Sequence, residues 1–209
     1  PMARRDVLPL LLITAAYAAA AFFNLGSAKD PQNWYCFGKG ESLAFQLEQE
    51  TEIGRLMYYT GIGSGEYLVE VSEDGTHYTE FAVIDQAYNK ILKWQEVYPG
   101  NAEENKEDEG WTAPAPVSAR WLRITCTQVT SRQTNPYLGE VAIYDGAGQM
   151  VDLSGTVTQL IAADRFEGLS LFDEQDTVPE YSGWQNSAVF DEIYHPRTAY
   201  EHIIGAQPY

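Results

Sequence analysis

Basic side chains are scarce in this chain. Its 13 lysines and arginines face 30 aspartates and glutamates, a formal net charge of −17. That balance argues against a nucleic-acid partner, because phosphate backbones are held by a basic surface. Cysteine is nearly absent. Cys36 and Cys126 stand alone, with no Cys-x-x-Cys pair, which argues against a zinc site. One disulfide between them is allowed outside the cytoplasm, and two buried thiols are the alternative. Of the three histidines, His195 and His202 stand seven apart with no third ligand in view, which argues against metal binding there. Beyond residue 28 no apolar run reaches the length of about 20 residues that a membrane helix needs.

What is present supports a real core. Of 209 residues, 44% are hydrophobic, enough for one domain with appendages. The acidity is partly local. The stretch from Ala102 to Glu109 holds Glu103, Glu104, Glu107, Asp108 and Glu109 against Lys106 alone. Such a run reads as a solvated loop, or else as a patch for a divalent cation or a partner.

From Val7 to Ala28 no side chain ionises except Tyr17, and Arg4 and Arg5 precede the run. Val7–Gly26 supplies the length of a transmembrane helix, and positive charge stays in the cytoplasm, so the remainder is expected outside. Residues 1–27 are therefore read as a single-span anchor in the cell membrane, with membrane lipid as its partner. A cleaved signal peptide is the alternative, with Leu8–Ile13 as its apolar region and the small residues near Ala16 and Ala18 as its cleavage site. Phe22 and Phe23 carry the apolar run past that site, which favours the anchor. Either reading exports the bulk of the chain.

The middle reads as β. Ser42–Leu47 and Tyr67–Ser72 alternate with period two, Glu52–Thr60 follows a polar gap, and Arg120–Cys126 and Leu138–Asp145 are further strands. Gly61–Gly65 and Glu73-Asp74-Gly75 carry turn chemistry. Tyr88–Tyr98 fits strand or loop. Short strands without long helical periods predict a mainly β, antiparallel sandwich.

Three stretches carry a resemblance: Tyr67–Gly75, Ala119–Ile124 and Pro136–Asp145. Together they resemble the discoidin, or coagulation-factor C-type, domain over about residues 30–146. The resemblance implies a galactose-binding-like jelly roll at residues 28–150, whose loops at one end bind sugars or lipid head groups. Aromatic stacking beside polar groups is the chemistry of such sites. Trp34, Tyr35, Arg132 and Asn135 are the candidate ligand-binding residues. The resemblance also implies a structural calcium ion, for which Glu140 would be the carboxylate. The family's early Asp-Gly is here Asp30-Pro31, a departure at that site. A sandwich that binds nothing, serving as a spacer, is the alternative.

Residues 151–209 read as an irregular segment with a weak strand at Thr156–Ile161, then a cluster of chemistry-bearing side chains. Asp191 and Glu192 precede a helix predicted over Arg197–Ile204, with Pro196 in its first turn and Gly205 at its end. Carboxylates at a helix N-terminus are held ionised, which a general base requires; an ordinary cap is the alternative. An apolar helix followed by an exported Phe-Asp-Glu-x-x-His segment and a helix is similar to the first part of protein O-mannosyltransferases. That resemblance implies a polyprenyl-phosphate sugar as donor, Asp191 as the catalytic base toward an acceptor hydroxyl and Glu192 beside it. Without the family's further membrane helices, which hold the donor, this chain is not expected to turn over alone, and no cofactor is required. The sequence thus leads to the exported amino-terminal region of a mannosyltransferase-like membrane glycosyltransferase carrying a carbohydrate-binding or spacer module. A stand-alone, membrane-anchored carbohydrate-binding protein is the alternative.

Overall fold

The structure is a computed structural model that describes residues 4–22, 29–106, 108–132, 134–153, 157–161, 166–183, 186–188 and 193–205. Helix α1 (Arg4–Phe22) leads into eight strands and a final helix α2 (Tyr194–Ile203). The strands are β1 (Tyr35–Cys36), β2 (Ser42–Thr60), β3 (Gly65–Ser72), β4 (Thr79–Gln86), β5 (Lys93–Val97), β6 (Val117–Val129), β7 (Tyr137–Asp145) and β8 (Val157–Ile161). Every pairing between them is antiparallel.

Strand β2 serves two sheets. Its first half runs between β6 and β8, with Phe45 opposite both Leu122 and Leu160. Its second half runs between β5 and β7, with Met57 opposite Glu96 and Ala142. A bulge at the polar stretch Glu48-Gln49-Glu50 interrupts the pairing with β6 between Gln46 and Thr51, and the strand passes from one sheet to the other near Ile53, where β6 pairing ends and β7 pairing begins. One layer is therefore β8-β2-β6-β3-β4 and the other β1-β7-β2-β5.

Period-two alternation decides what lies between the layers. Leu43, Phe45 and Leu47 of β2, Tyr67, Val69 and Val71 of β3, Leu122 and Ile124 of β6, and Val141 and Ile143 of β7 share one buried cluster. The ambiguous stretch Tyr88–Tyr98 divides into a 3-10 turn at Tyr88–Lys90 and strand β5. The acidic stretch after it is partly ordered: Pro99–Asn105 forms 3-10 helix, and the Glu103 carboxylate accepts the Tyr98 N–H at 2.9 Å and the Asn101 side-chain amide at 3.0 Å.

Described residues beyond β7 pack on the sandwich. Leu153, Leu171 and Phe172 enter the sandwich core, with the Phe172 ring 4.6 Å from that of Phe45. A strap then crosses the outer face of the second sheet. Tyr144 Oη donates to the Pro179 carbonyl at 3.3 Å, Val178 packs against the buried cluster of Met57, Tyr59, Trp94, Ala142 and Tyr144, and the Ala188 N–H donates to the Leu92 carbonyl at 2.9 Å.

Helix α1 differs from the expected span over Val7–Gly26. It has 19 residues and starts on the charged trio Arg4, Arg5 and Asp6, and residues 23–28 lie outside the described residues. Among the described residues, no helix is long and apolar enough to cross a membrane. Leu8, Leu11, Leu12, Ile13 and Tyr17 of α1 are all exposed. At α2 the reading holds: Pro196 lies in the first turn, and Gly205 follows the last with a positive φ of 72°.

Candidate functional site

The segment before β1 and helix α2 meet at one end of the sandwich, where the loops 61–64, 87–92 and 130–136 lie. Trp34 precedes β1 and packs its ring 5.4 Å from Tyr59 and 6.3 Å from Tyr200 of α2. A Cβ added at Gly61 would lie 2.7 Å from the Trp34 ring, and one at Gly139 would lie 3.2 Å from it, so both positions must be small to admit the indole. Tyr200 also meets Tyr137 edge-on, with centroids 6.1 Å apart. Trp34 is thus half-buried beneath α2 rather than open to a ligand. Tyr35 is fully buried: its ring packs on Phe37 and its hydroxyl donates to Glu41 Oε1, so it has no face to offer a ligand. Arg132 and Asn135 are exposed on the 130–136 loop.

Against the same loops, α2 turns an ion pair inward. Arg197 Nε donates to Glu201 Oε1 at 2.8 Å, one helical turn apart, and the Arg197 guanidinium lies 4.6 Å from the centre of the Tyr88 ring. Arg197 is 5% exposed and Glu201 3%. They line a small cavity with Gly63, Ser64, Tyr88, Ile91, Ser131 and Thr134. No motif marked this pair in the sequence. The i,i+4 spacing of Arg197 and Glu201 was the available signal, and such spacing is usually a solvated surface pair.

Glu140 lies on the outer face of β7, fully buried. Its carboxylate accepts the Glu174 N–H at 2.9 Å and the Gln175 side-chain amide. Burial, with Asp173 and Glu174 adding like charge, pushes its pKa up to about 7 despite those donors. Glu174 in turn accepts the backbone N–H groups of Gln32 and Asn33 at 2.6 and 2.9 Å, and Asn33 Nδ2 donates to Asp173 at 3.3 Å. The strap therefore ties the segment before β1 to β7. Oxygen atoms of Glu140, Asp173 and Glu174 lie within 4.8 Å of one another, and Gln175 Oε1 is buried without a partner. An all-oxygen, triply acidic donor set of that size suits a hard divalent cation such as calcium. Asp173 and Glu174 were missed in the sequence, because the strap that brings them to Glu140 carries no motif. Asp191 and Glu192 lie outside the described residues.

The model of the F5/8 type C domain matches residues 14–140. The chain belongs to this family. Solved structures resemble it at low identity. CpGH89CBM32-6 from Clostridium perfringens is 21% identical, with 59% of this chain and 83% of that one covered and a TM-score of 0.39. A pectin binding carbohydrate binding module is 14% identical over 59% of this chain and 78% of its own, with a TM-score of 0.40. CpGH89CBM32-5, from Clostridium perfringens and solved with GalNAc-β-1,3-galactose, is 12% identical over 57% and 80%, with a TM-score of 0.39. No curated protein matches the chain. In this F5/8 type C domain the match ends at Glu140, so Asp173, Glu174 and the whole of α2 lie beyond the matched residues. The two polar clusters are each completed by segments that follow them.

Proposed function

We propose that this F5/8 type C domain binds carbohydrate through the loop end of its sandwich, outside the cytoplasm, with α1 holding it at the membrane. The family match over residues 14–140 carries this reading. The loop end agrees with it chemically, since exposed tyrosine rings lie there beside hydroxyl, carboxylate and guanidinium groups. Binding of the whole chain to a glycan array tests it: retention of at least one glycan class is the expected result, and retention of none overturns it. Protease added to intact cells tests the placement, with cleavage of the sandwich expected and full protection contradicting it.

Calcium belongs to the same reading. Glu140, Asp173 and Glu174 would hold it and lock the strap onto the sandwich, supplying rigidity rather than chemistry.

A second reading places the domain beside a polyprenyl-phosphate-sugar glycosyltransferase activity. Helix α2 favours it, because it begins at Tyr194, one residue beyond the Asp191-Glu192-Ile193 stretch. Asp191 would then take the proton of the acceptor hydroxyl. Mannose transfer from polyprenyl-phosphate mannose to a serine peptide, in membranes carrying the chain, tests this: the activity should vanish in Asp191→Asn, and unchanged transfer in that variant removes the reading.

A further inference from the structure

Helix α2 lies on the rings that the loop end would offer a ligand. Tyr200 packs against Trp34 and Tyr137, with centroids 6.3 and 6.1 Å apart, and the Arg197 guanidinium lies 4.6 Å from the centre of the Tyr88 ring. Rings from the segment before β1, the 87–92 loop and β7 are thereby met by one helix of 10 residues. The sandwich does not need that helix for its interior: neither of its two buried clusters draws a side chain from α2.

The seat of the helix is also imperfect. Glu201 is 3% exposed, and while its Oε1 accepts from Arg197, its Oε2 is buried with no hydrogen-bond partner among the described residues. A cavity of about 20 Å³ remains between the helix and the loops, with Gly63, Ser64, Ser131 and Thr134 in its wall. An unmatched buried oxygen and a gap in the packing both weigh against the docked position. Both penalties vanish when the helix lifts, because Glu201 then returns to water. Loss of the ring contacts opposes that movement.

We propose that α2 is an autoinhibitory lid: docked, it occupies the aromatic faces at the loop end, which opens to a ligand only when the helix swings away. The inference rests on the carbohydrate reading and adds a control to it, supplied by a segment beyond the residues that match the family. A closed lid lowers apparent affinity by the fraction of molecules that stand open, so a change that shifts the lid shifts binding with it.

Two variants of the full chain, in mild detergent, release the lid by different routes. Tyr200→Ala removes the ring that holds Trp34 and Tyr137, and Glu201→Lys sets a like charge beside Arg197 in the buried seat. Hydrogen exchange of the α2 amides reads the lid, and calorimetric titration with a glycan that the array retains reads binding. Each variant should speed α2 exchange about tenfold or more while β3 and β6 keep their protection. Each should also tighten glycan binding about threefold or more. An opened α2 with binding unchanged or weakened overturns the lid alone, and carbohydrate binding stands. Unchanged α2 exchange in both variants, or protection lost throughout the sandwich in both, overturns it too, because the helix is then not a separable cover. If one variant unfolds, the other decides. A blank array for the original chain and both variants removes this proposal and the carbohydrate reading together.

Discussion

Trp34 and Tyr200 lie ring against ring, centroids 6.3 Å apart, though 166 positions separate them in sequence. The contact joins the segment entering the sandwich to the helix that ends the described chain, and it seats α2 over the loop end. Tyr200→Ala should release the helix at a cost of about 1–3 kcal/mol. Hydrogen exchange reads it out: amides of α2 should exchange faster while those of β3 and β6 keep their protection.

Glu140 makes stability depend on pH in the direction opposite to most carboxylates. Its pKa is pushed from 4.5 up to about 7 by burial, so between those values the folded state keeps a proton that the unfolded chain gives up. The favourable contribution is complete below pH 4.5 and is lost as pH rises toward 7, worth about 3 kcal/mol at most. The like charge of Asp173 and Glu174 beside Glu140 adds to that rise in pKa. Glu140→Gln should flatten the melting temperature across that window, and a fall as steep as in the original chain would contradict this.

Calcium should act on the same cluster. Millimolar calcium is expected to raise the melting temperature at pH 8, where Glu140 is charged, and to do little at pH 5, where Glu140 keeps its proton. Asp173→Asn with Glu174→Gln should abolish the effect. An equal rise in that double variant would place the ion elsewhere.

Much of the fold was legible because its signal is local. Tyr67, Val69 and Val71 alternate with Leu68 and Glu70, and a β layer with one buried face follows from that pattern alone. Pro196 and Gly205 marked the ends of α2 in the same way. Strand β4 escaped notice, since Phe81-Ala82-Val83-Ile84 is a continuous apolar run without alternation. The sites were less legible for a different reason. Trp34 and Tyr35 have the right side chains for stacking on a sugar, but whether an aromatic faces solvent depends on what covers it, and the covers (Tyr200, Phe37) arrive from tertiary packing. Glu140 was singled out through the family resemblance, which implies a carboxylate on the closing strand. Its neighbours Asp173 and Glu174 were not, because they reach it through a strap of irregular backbone whose path no periodicity encodes.

The turn between β3 and β4 offers a test of backbone chemistry. Ser72 Oγ accepts the Gly75 N–H at 2.9 Å, Asp74 Oδ1 accepts those of Thr76 and His77 at 2.8 Å, and Gly75 takes a φ of 74°. A Cβ there would lie 2.7 Å from the Trp121 indole. Gly75→Ala should therefore lose about 1–3 kcal/mol, through both the left-handed backbone and the clash. Chemical denaturation measures it, and a variant as stable as the original would contradict the turn geometry.

Carbohydrate binding at the loop end is the claim on which the rest of the functional account stands. Mapping amide chemical shifts of the isotope-labelled chain during titration with a glycan that it retains tests that claim most directly. The account predicts shifts at Ser64, Tyr88, Ser131, Thr134 and along α2, with the turn at 72–79 unmoved. Shifts confined to that turn, or no shifts at the loop end at saturating glycan, would contradict it.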